Sequence, residues 1–180
     1  MNLNNHYQLL GLELDYQIDK KVLTENYRQL QRSVHPDNYA NQSDRDKRLS
    51  VQKSSQINDA FQTIKDPLKR AIYHLSLLGI TLQDNATTSD GAFLMAQMES
   101  REQLEKIKSI DNPELEIEKL LKSVNTKIDA EISSLIELFK IASETDKKII
   151  SSIKDAILKL QFHTKLRTEC ELLEEELLNF

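Results

Sequence analysis

The sequence predicts an all-α protein, an N-terminal helical hairpin followed by a C-terminal three-helix bundle, and three observations carry that reading. The 180 residues include only three glycines, three prolines and no tryptophan, too few turn formers for strands joined by tight turns. Apolar residues make up 39% of the chain beside 29% charged, and they recur at helical rather than alternating spacing. Residues that start and stop helices fall at the ends of those periodic stretches.

The elements follow in order. Residues 4–10 form a short helix with Tyr7, Leu10 and Leu3 on one side, broken by Gly11 and Asp15. Asp19 is an N-cap for a second helix reaching about Val34. Its Val22, Leu23, Tyr27, Leu30 and Val34 cluster on one face. Lys21, Arg28 and Arg32 fall within roughly 40° of one another on the opposite face, a basic stripe that also holds Glu25. The polar loop His35-Pro36-Asp37-Asn38-Tyr39 follows, forced out of helix by Pro36. Ser43 or Asp44 caps a third helix to about Lys65, with Leu49, Ile57, Ala60, Phe61 and Ile64 as its stripe. These two helices make an antiparallel hairpin.

Pro67 opens a further helical stretch over 68–78, which Gly79 ends. Residues 81–90 are polar and rich in turn formers, so the chain divides into residues 1–78, a linker over 79–90, and residues 91–180. The second part holds three helices. The first spans 91–109. Asp111 and Asn112, with Pro113 at the first helical position, open the next, to about 142. Ser143 with Asp146 resembles a capping arrangement for the last, to about 178.

Charge and cysteine usage bound the function. The net charge of -5 opposes phosphate neutralisation and argues against a nucleic-acid partner. The charge is uneven: residues 1–78 carry 11 basic against 9 acidic side chains, leaving 13 against 20 for the rest. Partners of different electrostatic character are therefore expected for the two halves. Cys170 is the only cysteine, so no internal disulfide or thiolate metal cluster can form. The start has no basic segment leading into an apolar run, and nowhere do 18 apolar residues run together. A cytoplasmic protein with no membrane partner is expected. His6, His35, His74 and His163 are scattered without zinc-ligand spacing, three glycines cannot build a phosphate loop, and no serine sits in a nucleophile elbow. Neither an enzyme, nor a metal, nor a cofactor is expected.

The tripeptide His35-Pro36-Asp37 carries more, because of its context. It caps a helix with a basic outer face and precedes an antiparallel partner helix. Ile57-Asn58-Asp59-Ala60-Phe61 and Asp66-Pro67-Leu68-Lys69-Arg70-Ala71 come after it, and Tyr7-Gln8-Leu9-Leu10-Gly11-Leu12 lies near the start. Over roughly residues 5–75 these segments resemble the J-domain family. The resemblance implies that the tripeptide and the preceding basic helix bind a DnaK-type chaperone and stimulate its ATP hydrolysis. The chemistry suits docking: Pro36 stiffens the loop, Asp37 accepts from a partner arginine, and His35 donates or accepts. Lys21, Arg28 and Arg32 would steer an acidic surface. Many J-domains carry lysine directly after the tripeptide, where this chain has Asn38.

The helix from residue 91 has two apolar faces. Phe93, Ala96, Leu104 and Ile107 lie within roughly 60° and form a core stripe, whereas Leu94, Met95 and Met98 point elsewhere, beside Glu102 and Glu105. The last helix repeats the theme, with Ile149, Ile153, Ala156, Ile157, Leu160 and Thr164 on one side and Phe162, Leu166 and Leu173 roughly opposite. Periodicity leaves two outcomes open for these second faces: packing against the rest of the chain or another chain, or exposure as a binding patch.

Residues 92–107, the run Leu160-Gln161-Phe162-His163-Thr164-Lys165-Leu166-Arg167, and the ending from Leu172 to Phe180 resemble the HscB family. So does Leu30-Gln31-Arg32 ahead of the tripeptide. That resemblance implies a co-chaperone that delivers the iron–sulfur scaffold protein IscU to the DnaK-like chaperone HscA. Position by position, it implies client contacts at Leu94, Met95, Met98, Glu99, Glu102 and Phe162. One acidic position of the family patch is Lys106 here, which would weaken or rearrange the electrostatic part. The Cys-rich extension of eukaryotic relatives does not precede this J-domain, an expectation that points to a bacterial protein. A monomer is expected. Two other readings stand beside this one: a general J-protein adaptor with a different client, and a helical homodimeric structural protein.

Overall fold

The computed structural model describes residues 5–39, 43–83, 88, 90–110 and 112–178. Every regular element among them is helical, and the chain separates into two compact units, Met1–Leu77 and Leu78–Phe180. The expectations for Leu3 and Asp111, and those for residues 84–87 and 89, lie outside the described residues.

In the first unit α1 (His6–Leu9), α2 (Lys20–Ser33), α3 (Asp44–Lys65) and α4 (Pro67–Leu77) surround one core. Asn5 caps α1, accepting from the Gln8 amide at 2.8 Å, and Gly11 turns the chain away in the left-handed region, at φ 65°. A β-carbon there would stand 3.3 Å from Asn26 Nδ2, the same nitrogen that donates to the Leu10 carbonyl at 2.8 Å. Glycine is the residue that meets both demands. Asp19 caps α2 as its sequence position predicts, accepting from the Lys21 amide at 2.7 Å. Tyr7, Leu10, Leu23, Val34, Ile57, Ala60, Phe61 and Ile64 fill the core.

Two expected core residues are not in it: Val22 is 41% and Leu49 42% exposed. In α2 the buried residue is Leu23, one position on, so the α3-facing line runs through Leu23, Tyr27, Leu30 and Val34 and leaves Val22 at its edge. In α3 the apolar core residues start at Ile57. Polar contacts join the hairpin. Gln31 Nε2 donates to the Ser54 carbonyl at 3.2 Å, Ser54 Oγ donates to Gln31 Oε1 at 2.9 Å, and Tyr27 stacks on Phe61 with centroids 3.9 Å apart.

A buried polar cluster ties α4 back to the start of the chain. Tyr7 Oη and His74 Nδ1 lie 3.0 Å apart, and Arg70 Nη1 donates to the Ile64 carbonyl at 2.7 Å while its guanidinium covers the Tyr16 ring at 4.8 Å. Burial raises the Tyr16 phenol to about 12 and lowers the His74 imidazole, so both rings stay neutral near neutral pH. Gly79, at φ 74°, takes the chain out of α4.

In the second unit α5 (Gly91–Ile107), α6 (Pro113–Ile141) and α7 (Lys147–Leu178) form an up-down-up bundle. Asp90 meets Lys159, Phe93 meets Phe162, and Leu104 and Leu173 line one cavity, all at an offset of 69 residues, so α5 and α7 run parallel. Ile117 of α6 instead lines a cavity with Leu177, which sets α6 antiparallel to α7. Those two share by far the most extensive interface in the unit. Pro113 opens α6. The cap of α7 is Asp146 rather than Ser143: its Oδ1 accepts from the Lys148 and Ile149 amides at 3.0 and 3.1 Å. The carboxylate sits where the free amides point, whereas Ser143 spends its hydroxyl on Thr145 at 3.1 Å.

Along α7 the buried stripe changes sides. From Ile157 it steps by three residues through Leu160 and His163 to Leu166, then on to Cys170 and Leu173. Each three-residue step falls about 60° short of a full turn, so the stripe swings by about 180° between Ile157 and Leu166. Leu166 and Leu173, the face opposite Ile153, are therefore buried within the bundle itself.

Candidate chaperone-docking and client-binding sites

The first site is built at the end of α2. Lys21, Arg28 and Arg32 are all exposed on its outer face, as their spacing predicts. Buried Val34 pins the end of the helix, and residues Pro36–Tyr39 form a single 3-10 turn. The Pro36 side chain lies outside what is described. His35 and Asp37 both project into solvent, with His35 Nδ1 3.3 Å from the Asp37 amide and 3.4 Å from Asp37 Oδ2. The first contact needs a bare Nδ1 and the second a protonated one, so only one of the two is a hydrogen bond in a given tautomer. Asn38 has a task of its own: its Nδ2 donates at 2.8 Å to the Arg32 carbonyl, in the last turn of α2, which the His35 amide approaches only at 3.5 Å. The residue that departs from the common pattern thus closes the helix terminus beside the tripeptide.

The second site lies where α5 meets α7. Asp90 caps α5 by accepting from the Phe93 amide at 3.0 Å, and its other oxygen takes a 2.9 Å bond from Lys159. The Lys159 bond, with the cap, holds the Asp90 carboxyl below the usual range. This clasp fixes the start of α5 against α7. Phe93 packs edge-on to Phe162, centroids 5.7 Å apart and planes at 87°, and also meets His163 at 5.6 Å. Phe162 is half-buried. Leu94, Met95 and Met98 stand out at 42%, 66% and 65% exposure.

Glu99 and Glu102 are exposed as well, and Glu102 faces Lys106 at 3.9 Å. They are not all gathered at one point. With Leu94 as zero, Met98 and Arg101 fall within about 40°, whereas Met95 and Glu102 lie near 80–100° and Glu99 near 140°. The Arg101 guanidinium sits 6.0 Å over the Phe162 ring, which places Leu94 and Met98 on the Phe162 side and Glu99 on the far shoulder. Arg101 was legible as a neighbour of Leu94 and Met98, seven and three residues away, but its charge set it apart from an apolar search. Phe93, assigned to the core, is only half-buried and acts as the wall behind Phe162.

His163 underlies this wall. The ring is 6% exposed and its Nδ1 has no hydrogen-bond partner among the described residues. Burial, with help from Lys127 and Lys159, lowers its pKa to about 4. The unfolded chain takes up this proton near 6.5 and therefore binds more protons between those two values, so bundle stability falls as pH drops from 6.5 towards 4. His163→Leu should stabilise the bundle by roughly 1 kcal/mol at neutral pH, by removing an unpaired buried nitrogen. The gap between variant and wild type should widen on acidification, and urea midpoints at pH 7 and 4.5 measure both effects. A gap that stays constant with pH would count against a buried neutral ring.

Among the described residues no cluster of three metal-capable side chains exists, and no helix is long and apolar enough to cross a membrane. A helical hairpin presenting His35-Pro36-Asp37 beside a basic helix is the hallmark of a J-domain protein, and the DnaJ domain family matches residues 5–74. The HSCB C-terminal oligomerisation domain family matches residues 89–171. The chain belongs to the HscB co-chaperone family. It is 44% identical to the co-chaperone protein HscB homolog of Shewanella pealeana, over 97% of this chain and 99% of the relative, and 38% identical to that of Vibrio campbellii over 97% and 99%. Chaperone HscB from Vibrio cholerae superposes with a TM-score of 0.84 at 37% identity, over 97% of this chain and 99% of the other. Human co-chaperone HscB, at 24% identity, shares the fold with the same TM-score over 97% and 84%.

Proposed function

We propose that this co-chaperone binds an IscU-like iron–sulfur scaffold protein and delivers it to an HscA-like DnaK-type chaperone while stimulating that chaperone's ATPase. In this reading residues 1–78 act as the J-domain, 79–90 as the connection and 91–180 as the client-binding bundle. His35, Pro36 and Asp37, with Lys21, Arg28 and Arg32, engage the chaperone. Leu94, Met95, Met98, Glu99, Glu102 and Phe162 engage the scaffold. The protein works as a monomer in the cytoplasm, performs no chemistry of its own and holds no metal or cofactor.

The single observation that carries the client half is the apolar ridge of Leu94, Met95 and Met98, left in solvent beside Phe162 on a helix whose opposite face is already in the core. Linking the two binding modules raises the effective concentration of scaffold at the chaperone without any new contact. The test is ATP turnover by the cognate HscA-like chaperone with the scaffold, with this protein, and with both. Turnover with both should exceed the sum of the separate effects, and simple additivity would refute delivery.

The family matched over residues 89–171 is an oligomerisation domain by description, which favours a second reading in which two copies share the same ridge. Sedimentation over a range of concentrations separates the two, a concentration-dependent dimer supporting this alternative.

A further inference from the structure

We propose that Met95 and Met98 are an oxidative modification site, at which a two-electron oxidant such as hydrogen peroxide switches off client binding. The inference rests on the client face proposed above and adds a control to it.

The chain holds four sulfur atoms, in Met1, Met95, Met98 and Cys170. Cys170 is the sulfur usually attacked first, because a thiolate is the better nucleophile. Here it is out of play. It is completely buried in α7, and burial pushes its thiol up to about 11, so it is neither ionised nor reachable. Met95 and Met98 are the reverse case, about two-thirds exposed at 66% and 65%. They sit three residues apart on α5, so both thioethers project from adjacent turns of the same ridge. A thioether needs no ionisation to react. Among the sulfur atoms of the described residues, oxidation is thereby directed from the usual target to the client face.

The step balances simply. A lone pair on Sδ attacks one peroxide oxygen, the S–O bond forms as the O–O bond breaks, and the second oxygen leaves as water after proton transfer. Sulfur loses two electrons and peroxide gains them. A thiol-dependent methionine sulfoxide reductase reverses the change, releasing the oxygen as water while two thiols become a disulfide. The physical effect is on the interface. A soft, polarisable side chain that moulds to an apolar partner becomes a polar, chiral one carrying a strong acceptor. Burying that acceptor under a client without a donor is unfavourable. Occupancy works in the opposite sense: a bound client covers both sulfurs and shields them, so the empty co-chaperone is the sensitive state.

The experiment treats the full chain with hydrogen peroxide, removes the oxidant with catalase, and maps oxidised residues by peptide mass spectrometry. Affinity for the IscU-like scaffold is then measured by calorimetry, and scaffold-free stimulation of the chaperone ATPase is measured in parallel. Met95 and Met98 should oxidise ahead of Cys170, and scaffold affinity should fall roughly tenfold or more. Methionine sulfoxide reductase should restore it, while scaffold-free stimulation stays unchanged throughout. In a Met95→Leu, Met98→Leu variant, peroxide should leave the variant's own affinity unmoved, whatever its starting value. Unchanged affinity after complete sulfoxide formation at both positions would overturn the proposal, as would a loss that follows Cys170 or resists the reductase. Failure of the untreated protein to bind the scaffold is a separate result, which removes the client face itself.

Discussion

His35→Gln is expected to reduce stimulation of the chaperone ATPase to the unstimulated rate while leaving folding and scaffold binding intact. The two parts of this expectation have different physical sources. Folding is spared because the His35 side chain is 59% exposed and its polar contacts among the described residues are with Asp37 of its own loop, with the hairpin held by Val34 and the Gln31–Ser54 bonds instead. Function is lost through the Asp37 carboxylate that the ring approaches. The ring folds over Asp37, and glutamine offers similar polarity but no rigid planar ring to hold that carboxylate at the 3.4 Å seen here. A partner arginine would then meet a carboxylate that is free to wander, and the bidentate geometry that makes such pairs strong would be lost. Steady-state ATP turnover with excess variant measures the first part, and circular dichroism with scaffold calorimetry the second. Preserved stimulation would remove the tripeptide from the mechanism.

Truncating the apolar ridge should be nearly as severe. Leu94→Ala combined with Phe162→Ala is expected to weaken scaffold binding by roughly a hundredfold or more, since buried hot-spot side chains cost about 2 kcal/mol or more each and about 1.4 kcal/mol is a factor of ten. The two positions differ in what else they support. Leu94 is 42% exposed and its loss costs the bundle little, whereas Phe162 leans on Phe93 at 5.7 Å and carries Arg101 at 6.0 Å. The single variant Leu94→Ala therefore tests binding without disturbing the fold, and thermal melts of both variants separate the contributions. Scaffold-independent ATPase stimulation should be unaffected. Calorimetric affinity equal to wild type in both variants would exclude the ridge as the client site.

Much of this architecture was readable from local rules. Asp19, Pro113 and Gly79 mark helix ends by chemistry that needs no tertiary context: a carboxylate for free amides, a missing N–H where none is used, and a backbone free to turn left-handed. Ser143 was misleading because two capping residues stand three apart, and only the path of the chain selects Asp146. Val22 and Leu49 show the limits of a helical wheel, which does not fix the edge of a buried face, where Val22 lies, nor where along a helix the core begins, which in α3 is Ile57 rather than Leu49.

The second faces of α5 and α7 divided according to packing. Periodicity left burial and exposure open for both, and the drift of the α7 stripe buries Leu166 and Leu173 while α5 keeps its Leu94–Met98 ridge in solvent. The drift was visible as repeated three-residue spacing, but its partner was not. Arg101 escaped notice because a cation over an aromatic face leaves no mark in a hydrophobic pattern. For the J-domain loop the residues and their order marked a candidate docking site, whereas the helix-ending bond of Asn38 needed coordinates.

The unequal interfaces of the bundle have a further consequence. Because α6 and α7 share a far more extensive interface than either makes with α5, that pair is expected to persist as a unit when the third helix detaches. Helix α5 is then expected to be the first part of the bundle to open, with faster amide hydrogen exchange than α6 and α7, held in check by the Asp90–Lys159 clasp. A cargo gripping the ridge would be gripping the least anchored helix, so loading would cost some of that mobility and would slow the exchange of α5 more than that of its neighbours.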